Sequence, residues 1–285
     1  MYIMYINSPN QNESNRIRFT ADEYVRINHL YSLDIEKAYI LSIPGNEKSI
    51  IQTEKCIDSC LKVGMDFEVF HGFDGTSLDT IKTPDHLKDK DYIKWIKIMD
   101  HRLTITEVCC ALGHLALWAH CININRPIVI LEHDAIMLTP YTKIISHNVL
   151  EYLGHKCELR HLYDDYGVHS LDELIPMITN QPTQQFIRRS MSNIINYNWM
   201  YPMGLHAYAI DPMMARRLFF HVMTEGLINP IDAVVRSDRF TVVQNGLYAC
   251  QNEQSEDLST IEHDDSNSST RYGRKDTFSL PGVSR

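Results

Sequence analysis

Residues 38–70 constrain the fold more than any other part of the chain. "AYILSI" (38–43) is a short apolar run ended by Pro44-Gly45, the pattern of a buried strand stopped by a turn. Residues 47–62 carry Ile50, Ile57, Cys60 and Leu61 near helical spacing, and Gly64 stands where a helix stops. "DFEVF" (66–70) has the character of a second strand. A strand, a helix and a strand in this order make a β-α-β unit. Its strands must be parallel and its crossover right-handed. An α/β fold follows.

The next element is the clearest. Thr104 and Glu107 form a capping-box pattern. Ile105, Val108, Cys109, Leu112, Leu115, Ala116, Ala119 and Ile122 follow at helical spacing, and a flanking face carries Cys110, Ala111, Trp118 and Cys121. A helix apolar on two sides belongs in the centre of a fold. After it comes "RPIVILEHDAIM" (126–137), in which four aliphatic residues run straight into Glu132, His133 and Asp134. Further on, "GLHAYAI" (204–210) predicts a strand and "DPMMARRLFFHVM" (211–223) a helix, with Asp211 as cap and Pro212 in its first turn. "FTVVQ" (240–244) predicts one more short strand, while residues 150–200 give no clear element. The expected division is an N-terminal extension over 1–34, a domain over 35–263 and a flexible Ser/Asn-rich tail over 264–285.

Composition narrows the function classes. A formal charge of -9 argues against a nucleic-acid partner, since such affinity comes largely from Lys and Arg on phosphates. The seven cysteines are odd in number and include no C-x-x-C pair, so buried, reduced thiols are expected rather than a disulfide framework or a zinc site. The first residues lack the basic start and long apolar stretch of a signal peptide, and no apolar run approaches a membrane span. A soluble, cytoplasmic protein is expected.

The acids of "LEHDA" need a reason. If the strand continues through them, Glu132 and Asp134 point to one side and His133 to the other. Two adjacent carboxylates repel unless something positive lies between them. Parallel sheets bind ligands at the carboxyl ends of their strands. An acidic-x-acidic pair there suits a divalent cation that bridges a diphosphate. The plainer reading is a strand end whose acids face solvent or cap a helix.

The chain resembles glycosyltransferase family 25, the family of lipooligosaccharide and collagen galactosyltransferases, over about residues 36–263. The resemblance rests on "HGFDGTSL" (71–78), "EVCCALGHLALWAHCI" (107–122), "VILEHDAIM" (129–137), "GLHAYAIDPMMARRLF" (204–219), "NPIDAVV" (229–235) and "QNEQSEDLSTI" (251–261), in this order and spacing. Three positions depart from the family pattern. His133 replaces the middle acid, Gly113 replaces a serine before the helix histidine, and "SIPGNEKS" lacks a first-loop arginine, Lys48 being the nearest base.

The resemblance implies a GT-A type fold with a Rossmann-like nucleotide-sugar-binding half and a mixed acceptor-binding half. It implies metal-dependent, inverting transfer of galactose or glucose from a UDP-sugar to a hydroxyl of a glycan or protein. Asp134 would sit on Mn²⁺ or Mg²⁺, with Glu132 near the ribose or the metal's water shell and His263 as a further metal ligand. His114, Asp74 and Gly75 would lie on the donor side, and Tyr208 and Ser255 are further candidates for the surrounding shell. His114 read alone is a buried core histidine, and the family pattern adds the option that it orients a phosphate or the strand-end carboxylate. Asp232 is either a helix N-cap or the general base for the acceptor hydroxyl. Two other functions stay open: a catalytically degenerate sugar- or partner-binding module, and a sugar transferase acting on modified DNA.

Overall fold

The computed structural model describes residues 34–88, 103–141, 147–179, 205–235, 239–243 and 248–252. Residues 1–33 of the expected extension, the whole tail, His263 and Ser255 lie outside them.

The β-α-β unit is present. Strand β1 (Ala38–Ser42) and strand β2 (Phe67–His71) pair in parallel around helix α1 (Glu47–Lys62). Asn46 caps α1 by accepting the Ser49 N–H at 3.0 Å. The buried face of α1 differs from the expected one. Ile50 and Leu61 are exposed, while Ser49, Gln52, Thr53 and Ser59 are buried beside Cys56 and Cys60. The reason is hydrogen bonding at strand and loop backbone. The Ser49 hydroxyl accepts the Ile43 N–H, Ser59 Oγ accepts the Met137 N–H, and the Thr53 hydroxyl donates to Ser49 O and Ser42 Oγ. Apolar side chains would leave these donors unpaired, which is costly in a core.

Helix α2 (Ile105–Ile124) starts at the expected capping box. Glu107 N–H donates to Thr104 Oγ1 at 3.2 Å, and Thr104 N–H donates to Glu107 Oε2 at 2.7 Å. The expectation that nothing approaches a membrane span needs correction, because α2 is long and apolar enough to cross one. Its apolar window is 72% buried inside the protein, so its apolar faces serve the core. Gly113 explains one departure from the family pattern. A Cβ there would come within 2.8 Å of both Leu41 methyls, so α2 lies against β1 too closely for a side chain. Gly113→Ser is expected to destabilise the protein by about 1–3 kcal/mol through overpacking. Urea denaturation measures it, and a loss below about 0.5 kcal/mol would show that Leu41 yields freely.

The remaining strands are β3 (Ile128–Glu132), β4 (Ala135–Met137), β5 (Leu150–Tyr152), β6 (Gly154–Glu158), β7 (Ala207–Ile210), β8 (Val242–Val243) and β9 (Ala249–Gln251). They form a six-stranded sheet in the order β2-β1-β3-β7-β5-β8 and a three-stranded sheet in the order β4-β9-β6. In the large sheet only β7 runs against the others, so the carboxyl ends of five strands meet the start of β7 along one edge. Helices α3 (Leu159–Tyr166), α4 (Leu171–Thr179), α5 (Pro212–Glu225) and α6 (Ile231–Val234) complete the described chain. The stretch 150–179, unassigned from sequence, thus holds β5, β6, α3 and α4. Strands and helices this short fall below the length at which periodicity separates them.

Side chains of the large sheet alternate between two cores. Tyr39, Leu41, Ile128, Ile130, Tyr208 and Ile210 pack with α2 and α5, while Ala38, Ile40, Val129, Leu131, Ala207 and Ala209 pack with α1. A third core joins the small sheet to α3 and α4 through Ile136, Leu159, Leu162 and Leu174. The chain passes from the large sheet to the small one three times, between β3 and β4, between β5 and β6 and between β8 and β9.

The acidic motif sits on the first of these passages, and here the sequence expectation is corrected. β3 ends at Glu132, His133 and Asp134 form a turn, and β4 begins in the other sheet. Strand alternation therefore stops at Glu132 and cannot assign the sides of His133 and Asp134.

Candidate functional site

Glu132 keeps the parity of Ile128 and Ile130, so its carboxylate faces α2. There Glu132 Oε1 lies 3.0 Å from His114 Nε2. His114 is fully buried, whereas the Glu132 side chain is 22% exposed at the sheet edge. The other His114 nitrogen, Nδ1, lies 2.8 Å from Tyr208 Oη, and Trp118 Nε1–H donates to the same oxygen at 2.9 Å. One proton order satisfies every member. The Trp118 N–H donates to Tyr208, the Tyr208 hydroxyl donates to Nδ1, and Nε2–H donates to Glu132. His114 is thus buried as the first reading had it and hydrogen-bonded to the strand-end carboxylate.

Burial alone would raise the Glu132 pKa. The His114 hydrogen bond offsets this, together with the positive charge that His114, His133 and His206 carry when protonated, and holds the group below the ordinary carboxylate range. Glu132 is therefore an anion kept at the edge of a dry core.

Asp134 is held differently. Its Oδ2 accepts the Gln251 side-chain amide at 2.7 Å, and its backbone carbonyl accepts the Asn252 N–H at 2.7 Å, so the end of β9 fixes the turn. Asp134 Oδ1 is buried with no hydrogen-bond partner among the described residues. Asp232 lies in the first turn of α6, whose N-cap is Pro230, so the N-cap reading is corrected. The Ala233 N–H donates to Asp232 Oδ1 at 2.8 Å.

Electrostatics ties the acids together. The Cys110 thiol is pushed well up, first by burial and then by the charges of Glu132, Asp232 and Asp134. The Tyr152 hydroxyl is raised by burial and by the same three carboxylates. The charges of Glu132, Asp134 and Asp232, chosen from sequence, thus all reach both Cys110 and Tyr152. Asp74 and Gly75 lie in the neighbouring loop after β2. The Asp74 backbone carbonyl accepts the Lys82 N–H at 2.7 Å in an isolated antiparallel bridge, and the Asp74 charge reaches the Cys109 thiol at the start of α2, after burial in effect. Gly75 lies against Ile81.

Three residues of this region were missed from sequence. His206 is fully buried, and its carbonyl accepts the Glu132 N–H at 2.8 Å. Its Nδ1 lies 3.2 Å from Tyr152 Oη. Cys110 Sγ lies 3.9 Å from Glu132 Oε1. The available signal was parity, because His206 and Tyr208 are polar residues at alternate positions of an otherwise apolar strand.

Chemically, the region is a concentration of carboxylates beside ordered histidines at the carboxyl edge of a mostly parallel sheet. A family model described as glycosyltransferase family 25 (LPS biosynthesis protein) matches residues 36–235. No curated protein matches the chain.

Proposed function

The chain belongs to glycosyltransferase family 25 and is a glycosyltransferase; on that premise we propose that it moves galactose or glucose from a UDP-sugar to a hydroxyl of a glycan or protein. The observation that carries this reading is Asp134 Oδ1, a buried carboxylate oxygen with no hydrogen-bond partner among the described residues, in the turn that follows Glu132. Such an oxygen is costly to bury, and a divalent cation offsets the cost. Carboxylate oxygens are hard donors, which fits Mn²⁺ or Mg²⁺. Asp134 and Glu132 would hold the ion, which when bound would neutralise charge on a departing diphosphate.

The fold assigned on this reading is GT-A type, with the β1–β3 half receiving the donor and the β5–β9 half the acceptor. The catalytic unit spans 35–263, and His263 would be a further ligand of the ion. His114 fixes Glu132, while Asp74 and Gly75 flank the donor. Asp232 is the general base. It takes the acceptor's proton as the acceptor oxygen bonds to the anomeric carbon and the bond to the UDP oxygen breaks. This is one in-line displacement with inversion. The described cysteines are free thiols, which suits a reducing, cytoplasmic setting.

Release of UDP from UDP-galactose and UDP-glucose, with and without Mn²⁺, tests the reading. Turnover is expected only with the cation. Asp232→Asn is expected to lower kcat by about 10²- to 10⁴-fold with Mn-UDP binding retained. Turnover of GDP- or ADP-sugars alone would overturn the donor assignment. Full activity of the Asp232 variant would overturn the base.

A further inference from the structure

Cys110 and His114 stand four residues apart on α2, one turn along the same face. Glu132 reaches that face from the end of β3. One ligand atom from each of the three, Sγ, Nε2 and Oε1, lies within 4.8 Å of the others. Two edges of this triangle are 3.0 Å (Nε2 to Oε1) and 3.9 Å (Sγ to Oε1). Around a tetrahedral zinc, bond lengths of 2.0–2.3 Å give corresponding edges of about 3.3 and 3.5 Å. Shifts of a few tenths of an ångström would bring these two edges to the tetrahedral values, and the third edge, Sγ to Nε2, is within 4.8 Å.

The geometry points to a second metal site at Cys110, His114 and Glu132, which binds a thiophilic divalent cation of the Zn²⁺ type and, by drawing Glu132 away from the donor side, inhibits transfer. The thiolate and imidazole select against Mg²⁺ and Mn²⁺, which prefer oxygen donors. The outer shell needs only the His114–Tyr208 bond to reverse its direction. With Nε2 on a metal, His114 Nδ1–H donates to Tyr208 Oη, an oxygen also held by Trp118. Access is available because Cys110 and Glu132 are only partly buried, while His114 forms the floor. Three protein ligands leave a fourth position for water, so this is an open site. The inhibition clause rests on the transferase reading above, but the binding clause does not.

Co²⁺, used as a spectroscopic substitute for Zn²⁺, tests the site on the full chain. A thiolate-to-cobalt charge-transfer band in the near ultraviolet is expected, saturating at one equivalent and displaced by Zn²⁺. Cys110→Ser should abolish the band, His114→Gln should weaken binding at least tenfold, and Cys56→Ser should leave the band intact. No band in the wild type, or a band that survives Cys110→Ser, overturns the site. For inhibition, UDP-sugar turnover is measured with Mn²⁺ in excess while Zn²⁺ is raised, each protein against its own zinc-free rate. Wild type should lose at least tenfold and Cys110→Ser less than twofold. A cobalt band together with zinc-insensitive turnover overturns the shared role of Glu132. A cobalt band in a protein that turns over no sugar nucleotide supports the metal site and overturns the transferase reading instead.

Discussion

Asp134→Asn is expected to cost about a hundred- to thousandfold in UDP-sugar turnover and to remove the response to Mn²⁺. The melting temperature of the ligand-free protein should be unchanged or slightly higher. The two expectations follow from the two oxygens of one side chain. Oδ2 accepts the Gln251 amide, and an asparagine oxygen can accept the same bond. Oδ1 is buried and unpaired among the described residues, and the Asp134 charge acts on Cys110 and Tyr152 together with those of Glu132 and Asp232. An unsatisfied amide there costs less than an unsatisfied ionised oxygen, and one source of repulsion among three acids disappears. Stability therefore cannot explain a loss of activity. Calorimetric melting and a turnover assay across Mn²⁺ concentrations read both at once. If the variant keeps wild-type turnover and metal response, Asp134 is not a metal ligand. If its melting temperature falls by several degrees, the carboxylate is structural.

What the sequence revealed depended on length and on parity. The β1-α1-β2 unit and α2 were legible because each pattern is long or flanked by strong stops, as Pro44-Gly45 and the Thr104–Glu107 box show. The burial of α1 was not legible, because Ser49, Thr53 and Ser59 look like solvent residues until the backbone donors that Ser49 and Ser59 serve, and the backbone carbonyl that Thr53 serves, are known. Glu132, Asp134 and Asp232 were legible as site candidates. The argument for the first two used a strand that does not exist past Glu132. A change of sheet at a two-residue turn leaves no trace in an apolar run that resumes at once as Ala135-Ile136-Met137. The Trp118–Tyr208–His114 chain was hidden for another reason. It joins α2 to β7 across 90 or more residues of sequence, and only tertiary packing brings the groups into reach.

Asp211→Ala is expected to destabilise the protein by about 3 kcal/mol, more than the loss of an ordinary helix cap. The sequence predicted a cap, and Asp211 does accept the N–H groups of Met213 and Met214 at the start of α5, both at 3.2 Å. It also accepts the Val149 N–H at 3.1 Å, which ties the entry of β5 to the same carboxylate. Asp211 is fully buried, so alanine would leave three backbone donors in a dry site. A cap contributes about 1–2 kcal/mol, and an orphaned buried N–H adds about 1–3. The Val149 link is therefore expected to account for about half of the loss. For a domain of this size, about 3 kcal/mol lowers Tm by about 6–12 °C. Asp211→Asn separates the two parts, since its single carbonyl oxygen can keep the Oδ1 bonds to Met214 and Val149 and lose only the Oδ2 bond to Met213. It should retain most of the stability that alanine loses. Equal losses for alanine and asparagine would mean that the charge at the N-terminus of α5 outweighs the link to β5, because the amide keeps the hydrogen bonds and lacks the charge.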